Sequence, residues 1–179
     1  LIKKNTISPN PIPDGLGNYG ILLNNSNYNN IEDNTINRTY WDGIRIGHTG
    51  PSNSNVIVFN HIYGGCEPFS SGIYVCNGDN NGVHENISEG YYYGISVGSN
   101  ASNTWVYNNL FRDNEQNGVA DGTNTTWNKP KTAVASNIVG GPYLGGNYWS
   151  DYTGVDGNGD KLGDTPYPIP GDSGASDDL

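Results

Sequence analysis

A short recurring pattern built around asparagine is the feature that most limits what this chain can fold into. In each copy, Asn stands three positions after an apolar residue and two positions before a second one, with Ser in that last slot once. Successive copies lie 22 to 29 residues apart, and their asparagines are Asn5, Asn34, Asn60, Asn86, Asn108 and Asn137. A repeat of this length indicates a chain built from stacked units.

A second marker, Gly followed by apolar, any and apolar residues, alternates with the first. It reads GILL, GIRI, GIYV, GISV and, in a weaker copy, GVAD, and these copies begin at Gly20, Gly43, Gly72, Gly94 and Gly118. The two-residue alternation predicts short strands in which the apolar side chains point inward and the residue between them points outward.

Units this short cannot bury an apolar face alone, but stacked units can, because each strand then pairs with its copy in the next coil. The predicted fold is therefore all-β: a parallel β-helix of about six coils over residues 1–144, with the repeated asparagines forming a ladder at one corner. A leucine-rich-repeat solenoid would require Leu at fixed positions and helical connections, and Leu is scarce here. Residues 145–179 are predicted to form an aromatic C-terminal cap and an irregular Asp-rich tail.

Composition excludes some classes of binding partner, but it does not decide whether the two cysteines form a disulfide. The formal net charge of −10 disfavours nucleic acid and anionic membrane surfaces. No apolar run is long enough for a transmembrane helix, so none is predicted in this chain. The chain contains no Met, even at position 1, which suggests a piece of a longer or processed protein. Cys66 and Cys76 could form one disulfide or remain two thiols.

The end of the chain carries a resemblance to a known group of proteins. The repeats run into the unusual string GGPYLGGNYWSDYTGVDGNGDKLGDTPYPIPG. With this ending, the chain resembles the NosD-like and disaggregatase-associated β-helix proteins of archaeal cell surfaces. The resemblance implies a right-handed β-helix that is secreted or attached to the cell surface. Its implied partner is polysaccharide, and its implied activity is the loosening of a cell-envelope matrix.

The resemblance also brings in copper, because NosD is linked to periplasmic copper delivery. Soft copper sites favour thiolate and thioether ligands. This chain has no Met, only two Cys and three scattered His, so a soft copper site is not favoured.

Stacking of the coils predicts a functional strip on the outer surface. The residue before each marker Gly and the residue two after it form neighbouring columns, which bring together Asp42, Arg45, Tyr74 and Tyr93, with Trp41 and His48 beside them. The predicted substrate-binding residues are Trp41, His48, Tyr74 and Tyr93. Aromatic faces next to a few fixed polar groups suit sugar rings. The alternative is a solvated sheet face with an ordinary Asp–Arg pair.

The same strip supplies the candidate catalytic residues Asp42, Arg45 and Glu67. Glycoside hydrolysis normally uses two carboxyl groups about 5–9.5 Å apart, and Glu67, in the insertion after the third coil's strands, is the nearest partner for Asp42. A lyase could instead use Arg45 with His48 or Tyr74. The spacing of these residues requires neither arrangement, so the sequence does not decide whether the strip is catalytic. Catalytic coils could also lie before Leu1.

The tail contains a candidate metal loop. Its predicted ligands are the side chains of Asp156, Asn158, Asp160 and Asp164 and the carbonyl of Leu162, at spacings that follow an EF-hand loop. Lys161 stands where the EF-hand keeps Gly, and Tyr167 replaces the bidentate Glu, so a true EF-hand is not expected. The string is closer to short Asp-rich calcium loops, and we expect a structural Ca²⁺ that fastens the tail to the last coil. A polar turn whose acids face water is the alternative.

These features give three hypotheses for function. The first is a secreted or cell-surface domain of disaggregatase type that binds envelope polysaccharide, with a role in degrading it left open. The second is a non-catalytic structural or adhesion module of an envelope protein. The third is a periplasmic metal-handling protein like NosD.

Overall fold

The fold is built entirely from short strands wound into a solenoid. The computed structural model describes residues 1–8, 19–65 and 67–178. This described part contains twenty β-strands and no α-helix. Fifteen of the strands repeat in the order sheet A, sheet B, sheet C, and every pairing within these sheets is parallel. The prediction of an all-β parallel β-helix is confirmed.

Each sheet contains one strand from every coil. Sheet A consists of β1 (Ile2–Lys3), β4 (Asn30–Glu32), β7 (Val56–Val58), β10 (Gly82–His84) and β13 (Trp105–Tyr107). Sheet B consists of β2 (Thr6–Ile7), β5 (Thr35–Asn37), β8 (His61–Tyr63), β11 (Ile87–Glu89), β14 (Leu110–Arg112) and β18 (Tyr148–Trp149). Sheet C consists of β3 (Ile21–Leu23), β6 (Ile44–Ile46), β9 (Ser71–Asp79), β12 (Tyr93–Ser102) and β15 (Gln116–Ala120).

The predicted number of coils is slightly too high. Five stacked strands in sheets A and C amount to about four turns from the first strand to the last. Only sheet B gains a sixth strand, β18, which comes from the predicted cap. The predicted boundary at residue 144 falls just after an antiparallel pair, β16 (Thr132–Ala133) with β17 (Tyr143–Leu144), that lies outside the coils.

The core is a set of columns of aliphatic side chains along the axis. In sheet A the inward column runs from Ile31 through Ile57 and Val83 to Val106, all of them fully buried. β-branched residues suit this position, because they pack well on a pleated surface. Each fully buried Ile or Val contributes roughly 1.5–3 kcal/mol to stability, so the columns are a major source of stability.

One corner of every coil carries the asparagine ladder. Each rung donates from its backbone N and its Nδ2 to the Oδ1 of the next rung, over 2.9–3.1 Å. The rungs are Asn5, Asn34, Asn60, Asn86, Asn109 and Asn147. The ladder is as predicted in its first four rungs and differs in the last two.

Backbone conformation explains the fifth rung. The residue before each of the first five rungs is left-handed, with φ between 53° and 57°, and these residues are Lys4, Asp33, Phe59, Glu85 and Asn108. Asn108 therefore takes the corner position, and Asn109 becomes the rung. Asn tolerates the left-handed region, so Asn108 and Asn109 both match the sequence pattern locally. The register of β13 with β10 decides which of the two forms the rung.

Asn137, the predicted sixth rung, forms a turn. Its Oδ1 accepts from the N–H of Gly141 at 2.7 Å, and its Nδ2 donates to the carbonyl of Tyr143 at 2.8 Å. Asn147 takes the rung instead, because β18 is the strand that stacks on β14.

The last copy of the glycine marker is shifted by one residue. Gly118 pairs with Ile95, so it occupies an inward position, and Val119 rather than Ala120 faces outward. The ring of Trp149 explains the shift, because a Cβ on Gly118 would lie 2.9 Å from it. The large ring fills the space that an apolar side chain fills in the other coils.

The C-terminal end is closed by aromatic stacking. Trp149 lies between Phe111, at 4.8 Å, and Tyr167, at 4.5 Å, and only 4% of it is exposed. Its Nε1 donates to Oδ2 of Asp177 at 2.9 Å. Tyr167 and Asp177 belong to the antiparallel pair β19 (Tyr167–Pro168) and β20 (Ser176–Asp177). The tail is thus fastened by its own side chains.

Candidate functional site

The outer face of sheet C carries a cleft of about 180 Å³. Its floor is β12, whose outward positions hold the small residues Ser96 and Gly98. In the neighbouring strands the position level with Ser96 is filled by Tyr74 on one side and Val119 on the other. Strands lie about 4.8 Å apart. The small side chains on β12 therefore leave a gap one strand wide between the side chains of Tyr74 and Val119.

Aromatic rings line the rim of this cleft. Phe69 is 67% exposed, and its ring centroid lies 4.8 Å from that of Tyr92, which in turn lies 4.7 Å from Tyr93. Phe69 and Tyr93 both face the cleft, and Asp121 lies at its edge. The cleft therefore combines aromatic surface with a carboxylate.

Arg45 fixes the wall formed by Tyr74. Its guanidinium carbon lies 4.5 Å from the centre of the Tyr74 ring, on the side of the preceding coil. Nη1 donates to Oδ2 of Asp42 at 2.9 Å, and Nη2 donates to Sγ of Cys76 at 3.3 Å. Burial, with the neighbouring Cys76, raises the pKa of Tyr74 to about 12, so its hydroxyl remains a donor at neutral pH.

Asp42 is buried behind this wall. Only 2% of it is exposed, and its Oδ1 accepts from the N–H of Ser71 at 2.8 Å while Oδ2 binds Arg45. Burial raises the pKa of Asp42, and the bonds from Ser71 and Arg45 oppose that rise. Both carboxylate oxygens therefore bind protein groups.

The other predicted site residues lie away from the cleft. Trp41 is 41% exposed and packs edge-on against Tyr40 at 6.1 Å. His48 lies 6.0 Å from the ring of Tyr19. Glu67 lies beside Tyr40, whose pKa it raises through a hydrogen bond. The structure thus brings Tyr74 and Tyr93 to one cleft, with Arg45 and Asp42 behind the wall. Trp41, His48 and Glu67 do not line the cleft, although His48 is near enough to Asp42 to oppose the rise in its pKa.

Sequence reasoning missed the residues that give the cleft its shape. Ser96 and Gly98 stand at outward positions of the segment GISVGS, and Ser96 takes the position that Arg45 and Tyr74 hold in the preceding coils. Small outward residues between large ones are the signal that marks a groove on a stacked sheet. Phe69 and Asp121 come from loop segments, whose positions the repeat does not predict.

The Asp-rich loop is folded by bonds between its carboxylates and its own backbone. Oδ1 of Asp156 accepts from the N–H of Gly159 at 2.7 Å, and its Oδ2 accepts from that of Lys161 at 2.8 Å. Asp164 accepts from Gly157 at 2.6 Å, and Asp160 forms an ion pair with Lys131. The predicted ligand side chains Asp156, Asn158, Asp160 and Asp164 therefore lie in one loop. No group of three His, Cys, Asp or Glu suited to a metal ion occurs in the described part of the chain.

The family model described as periplasmic copper-binding protein (NosD) matches residues 1–69 and 66–154. The chain belongs to the NosD family. The two NosD matches include all the residues that line the cleft and end before the Asp-rich loop. No curated protein matches the sequence, and no solved structure does either. Within the residues described, no helix has the length and apolar character needed to cross a membrane.

One predicted feature of this NosD-family chain cannot be placed. Cys66 lies outside the described residues, so one disulfide with Cys76 and two thiols both stay open. Cys76 is half-buried beside Arg45 and Tyr74.

Proposed function

We propose that this NosD-family domain binds polysaccharide of the cell envelope in the cleft on sheet C. The observation that carries the proposal is the gap above Ser96 and Gly98, which is bounded by the ring of Tyr74. Sugar rings stack on aromatic faces, and their hydroxyls bind fixed polar groups. The cleft offers both, in Tyr74 and Tyr93 and in Asp121.

The size and shape of the cleft support one sugar unit of a longer chain. Its volume of about 180 Å³ is smaller than the several hundred Å³ of an enclosed small-molecule pocket. The cleft is open to solvent along the sheet. One sugar ring of a polymer can therefore occupy the gap while the rest of the polymer continues over the rim. The description of the family as periplasmic supports a location outside the cytoplasm. Our proposal for this domain is the finer one, that it is secreted or at the cell surface.

The geometry supports binding more strongly than cleavage. Hydrolysis needs two carboxyl groups on opposite sides of the bond, and among the described residues only one carboxylate, Asp121, lines the cleft. Asp42 is buried with both oxygens bonded, and Glu67 lies beside Tyr40. A catalytic role for Asp42, Arg45 and Glu67 stays a prediction from the sequence.

Truncating the aromatic rim should weaken binding. In affinity gels that contain polygalacturonate, xylan or dextran, we expect at least one polymer to retard the wild-type domain. Phe69→Ala and Tyr93→Ala should each weaken retention about five- to tenfold, because each removes a stacking surface. Phe59→Ala is the matched control, since Phe59 is also exposed and also left-handed, with φ 57° against 66° for Phe69.

Three results would contradict or extend this function. Equal losses in Phe59→Ala and Phe69→Ala would show that retention does not depend on the cleft. New reducing ends, or absorbance from an unsaturated uronate, would show cleavage, and Asp42→Asn and Arg45→Lys would then test the catalytic strip. A domain that neither binds nor cleaves any polymer would contradict the proposal and favour a non-catalytic structural module of an envelope protein.

Copper binding does not fit the donors that the structure describes. His61 bonds to Glu89, and His84 bonds to Glu85 and stacks on Tyr107, so these rings face different partners. Among the described residues the cysteine is Cys76, and the sequence has no Met, so the soft donors that copper favours are scarce. We therefore derive no copper chemistry for this part of the chain.

For the Asp-rich loop we propose a structural Ca²⁺, on the basis of its alternating oxygen donors. By linkage, a ligand that binds only the folded state at 100 times its Kd adds about 2.7 kcal/mol. For a chain of this length, millimolar calcium added to chelator-treated protein should then raise the Tm by about 5–10 °C.

Asp156→Asn should abolish that rise, and Asp172→Asn, outside the loop, should preserve it. An unchanged Tm in the wild type would contradict the proposal and leave the loop as a self-bonded turn.

A further inference from the structure

The strand register places a carboxylate beside the floor of the cleft on sheet C. Ala120, the last residue of β15, pairs with Val97, and both of these side chains are buried in the core. Side chains alternate along a strand, so Asp121, the next residue, faces outward level with Gly98. Asp121 is exposed and lines the cleft.

One oxygen of this carboxylate is held and the other is available. Oδ1 of Asp121 accepts from the N–H of Asp172 at 2.9 Å. Oδ2 has no hydrogen-bond or ion-pair partner among the residues that the structure describes. A ligand can therefore bind to Oδ2 while the bond from the tail fixes the position of the carboxylate.

The charge of Asp121 is felt inside the cleft. Burial raises the pKa of the Tyr93 hydroxyl, and the neighbouring Tyr92 and Asp121 add to that rise. Tyr93 itself lines the cleft. The carboxylate therefore lies within electrostatic reach of a ring that a bound sugar would touch.

The opposite side of the floor is covered by Tyr74. A Cβ on Gly98 would lie 3.2 Å from the hydroxyl oxygen of Tyr74 and 3.2 Å from its Cε2. The ring of Tyr74 thus reaches over Gly98 from one neighbouring strand, and Asp121 stands beside Gly98 on the other. A ring in the gap lies between an aromatic wall and a carboxylate.

The cleft has no cation to balance this carboxylate. Among the described residues that line it, Asp121 is the one that carries a charge at neutral pH. Arg45 lies beyond Tyr74, on the preceding coil, and its charge is paired with Asp42 at 2.9 Å. The whole chain also has a formal net charge of −10. The cleft therefore favours a positively charged ligand over an anionic one.

We propose that the sugar bound in this cleft is an amino sugar with a free ammonium group. The ammonium bonds to Oδ2 of Asp121 in a charge-assisted hydrogen bond, and the rim rings of Phe69 and Tyr93 attract the same charge. The inference rests on the proposed function, because it concerns the same cleft, and it adds the class of sugar.

The test is a titration of the full chain, followed by ¹H–¹⁵N NMR at about pH 6, where an amine is protonated. The ligands are glucosamine, N-acetylglucosamine, glucose and glucuronate. We expect glucosamine to bind with a Kd of about 1 mM, typical of a small ligand, and to shift the amides of Gly98 and Asp121. N-acetylglucosamine and glucose should bind about tenfold more weakly, because they lack the charge. Glucuronate should be the weakest, because it is repelled by Asp121.

Matched variants separate charge from stacking. Asp121→Asn keeps the Oδ1 acceptor for Asp172 and removes the charge, so it should weaken glucosamine binding about tenfold and leave glucose binding unchanged. Asp33→Asn removes the same charge from another exposed position and should have no effect, since Asn tolerates its left-handed φ of 56°. Tyr93→Ala should weaken the binding of both sugars.

Several outcomes would overturn the assignment. These are equal affinity for glucosamine and N-acetylglucosamine, wild-type glucosamine affinity in Asp121→Asn, an equal loss in Asp33→Asn, shifts that map away from the cleft, and the absence of any shift with glucosamine. If xylan or dextran retards the domain in a way that depends on Phe69, the proposed function stands even when this assignment fails. Glucosamine binding that needs Asp121, with no polymer retained, would contradict polymer binding and support the class of sugar.

Discussion

Asn86→Ala is expected to destabilise the domain by about 3–5 kcal/mol, because it removes five hydrogen bonds from a fully buried site. Asn86 accepts two bonds from Asn60 and donates to Asn109 and to the carbonyls of Ile57 and His84. The donors and acceptors left behind lie inside the stack, where water cannot replace the lost partner. The Tm should fall by about 10 °C.

Thermal unfolding followed by circular dichroism would measure this effect. Asn100→Ala is the control, since Asn100 is exposed in the neighbouring sheet and should change stability by less than about 0.5 kcal/mol. Asn86→Asp keeps an acceptor and loses the donors, so it should also be strongly destabilising. A Tm for Asn86→Ala within about 2 °C of the wild type would show that the ladder is dispensable.

Trp149→Ala is the second substitution with a large expected effect, about 3–5 kcal/mol. It removes the ring between Phe111 and Tyr167 and the donor to Asp177. Residues 170–173 also bond to Ala120 and Asp121 of the last coil. Trp149 contacts both strands of the tail's antiparallel pair, so we expect its loss to loosen the tail before the coils unfold. Limited trypsin digestion should then cut at Lys161 faster than in the wild type.

Two further variants test this account of the cap. Trp149→Phe keeps a ring for stacking but loses the N–H and part of the buried indole, so it should lose about 2–3 kcal/mol, less than Trp149→Ala. Trp41→Ala removes an indole that is 41% exposed and should leave both stability and the rate of tail cleavage nearly unchanged. Digestion of Trp149→Ala at the wild-type rate would contradict a role for the ring in holding the tail.

The repeat pattern predicted the fold well, because it constrains every coil in the same way. The inward Ile and Val positions and the first four ladder asparagines follow directly from it. It failed where two residues satisfy the pattern equally, as at Asn108 and Asn109, and where a turn imitates it, as at Asn137. Only the pairing of strands, which is a long-range property, distinguishes these cases.

The candidate sites were harder to predict than the fold. Tyr74 and Tyr93 were found because a column of strand residues must share one face. Asp42 was expected on that face and is buried, because Arg45 and the N–H of Ser71 draw it inward. The rim residue Phe69 lies in a loop between strands, and no repeat governs the path of that loop.

The carboxylate of Asp177 explains how the ladder can end. The Oδ1 of every Asn in the ladder accepts hydrogen bonds from the Asn of the preceding coil. Its own N–H groups then need an acceptor in the next coil, so each coil needs one more acceptor after it. A further Asn at the end would leave an unsatisfied amide at a position that is 1% exposed. Asp177 ends the relay because a carboxylate accepts from Asn147 and has no amide proton to pass on. Hydrogen bonds to an ionised acceptor are also stronger, so the rung that carries the end of the stack is the best-anchored one.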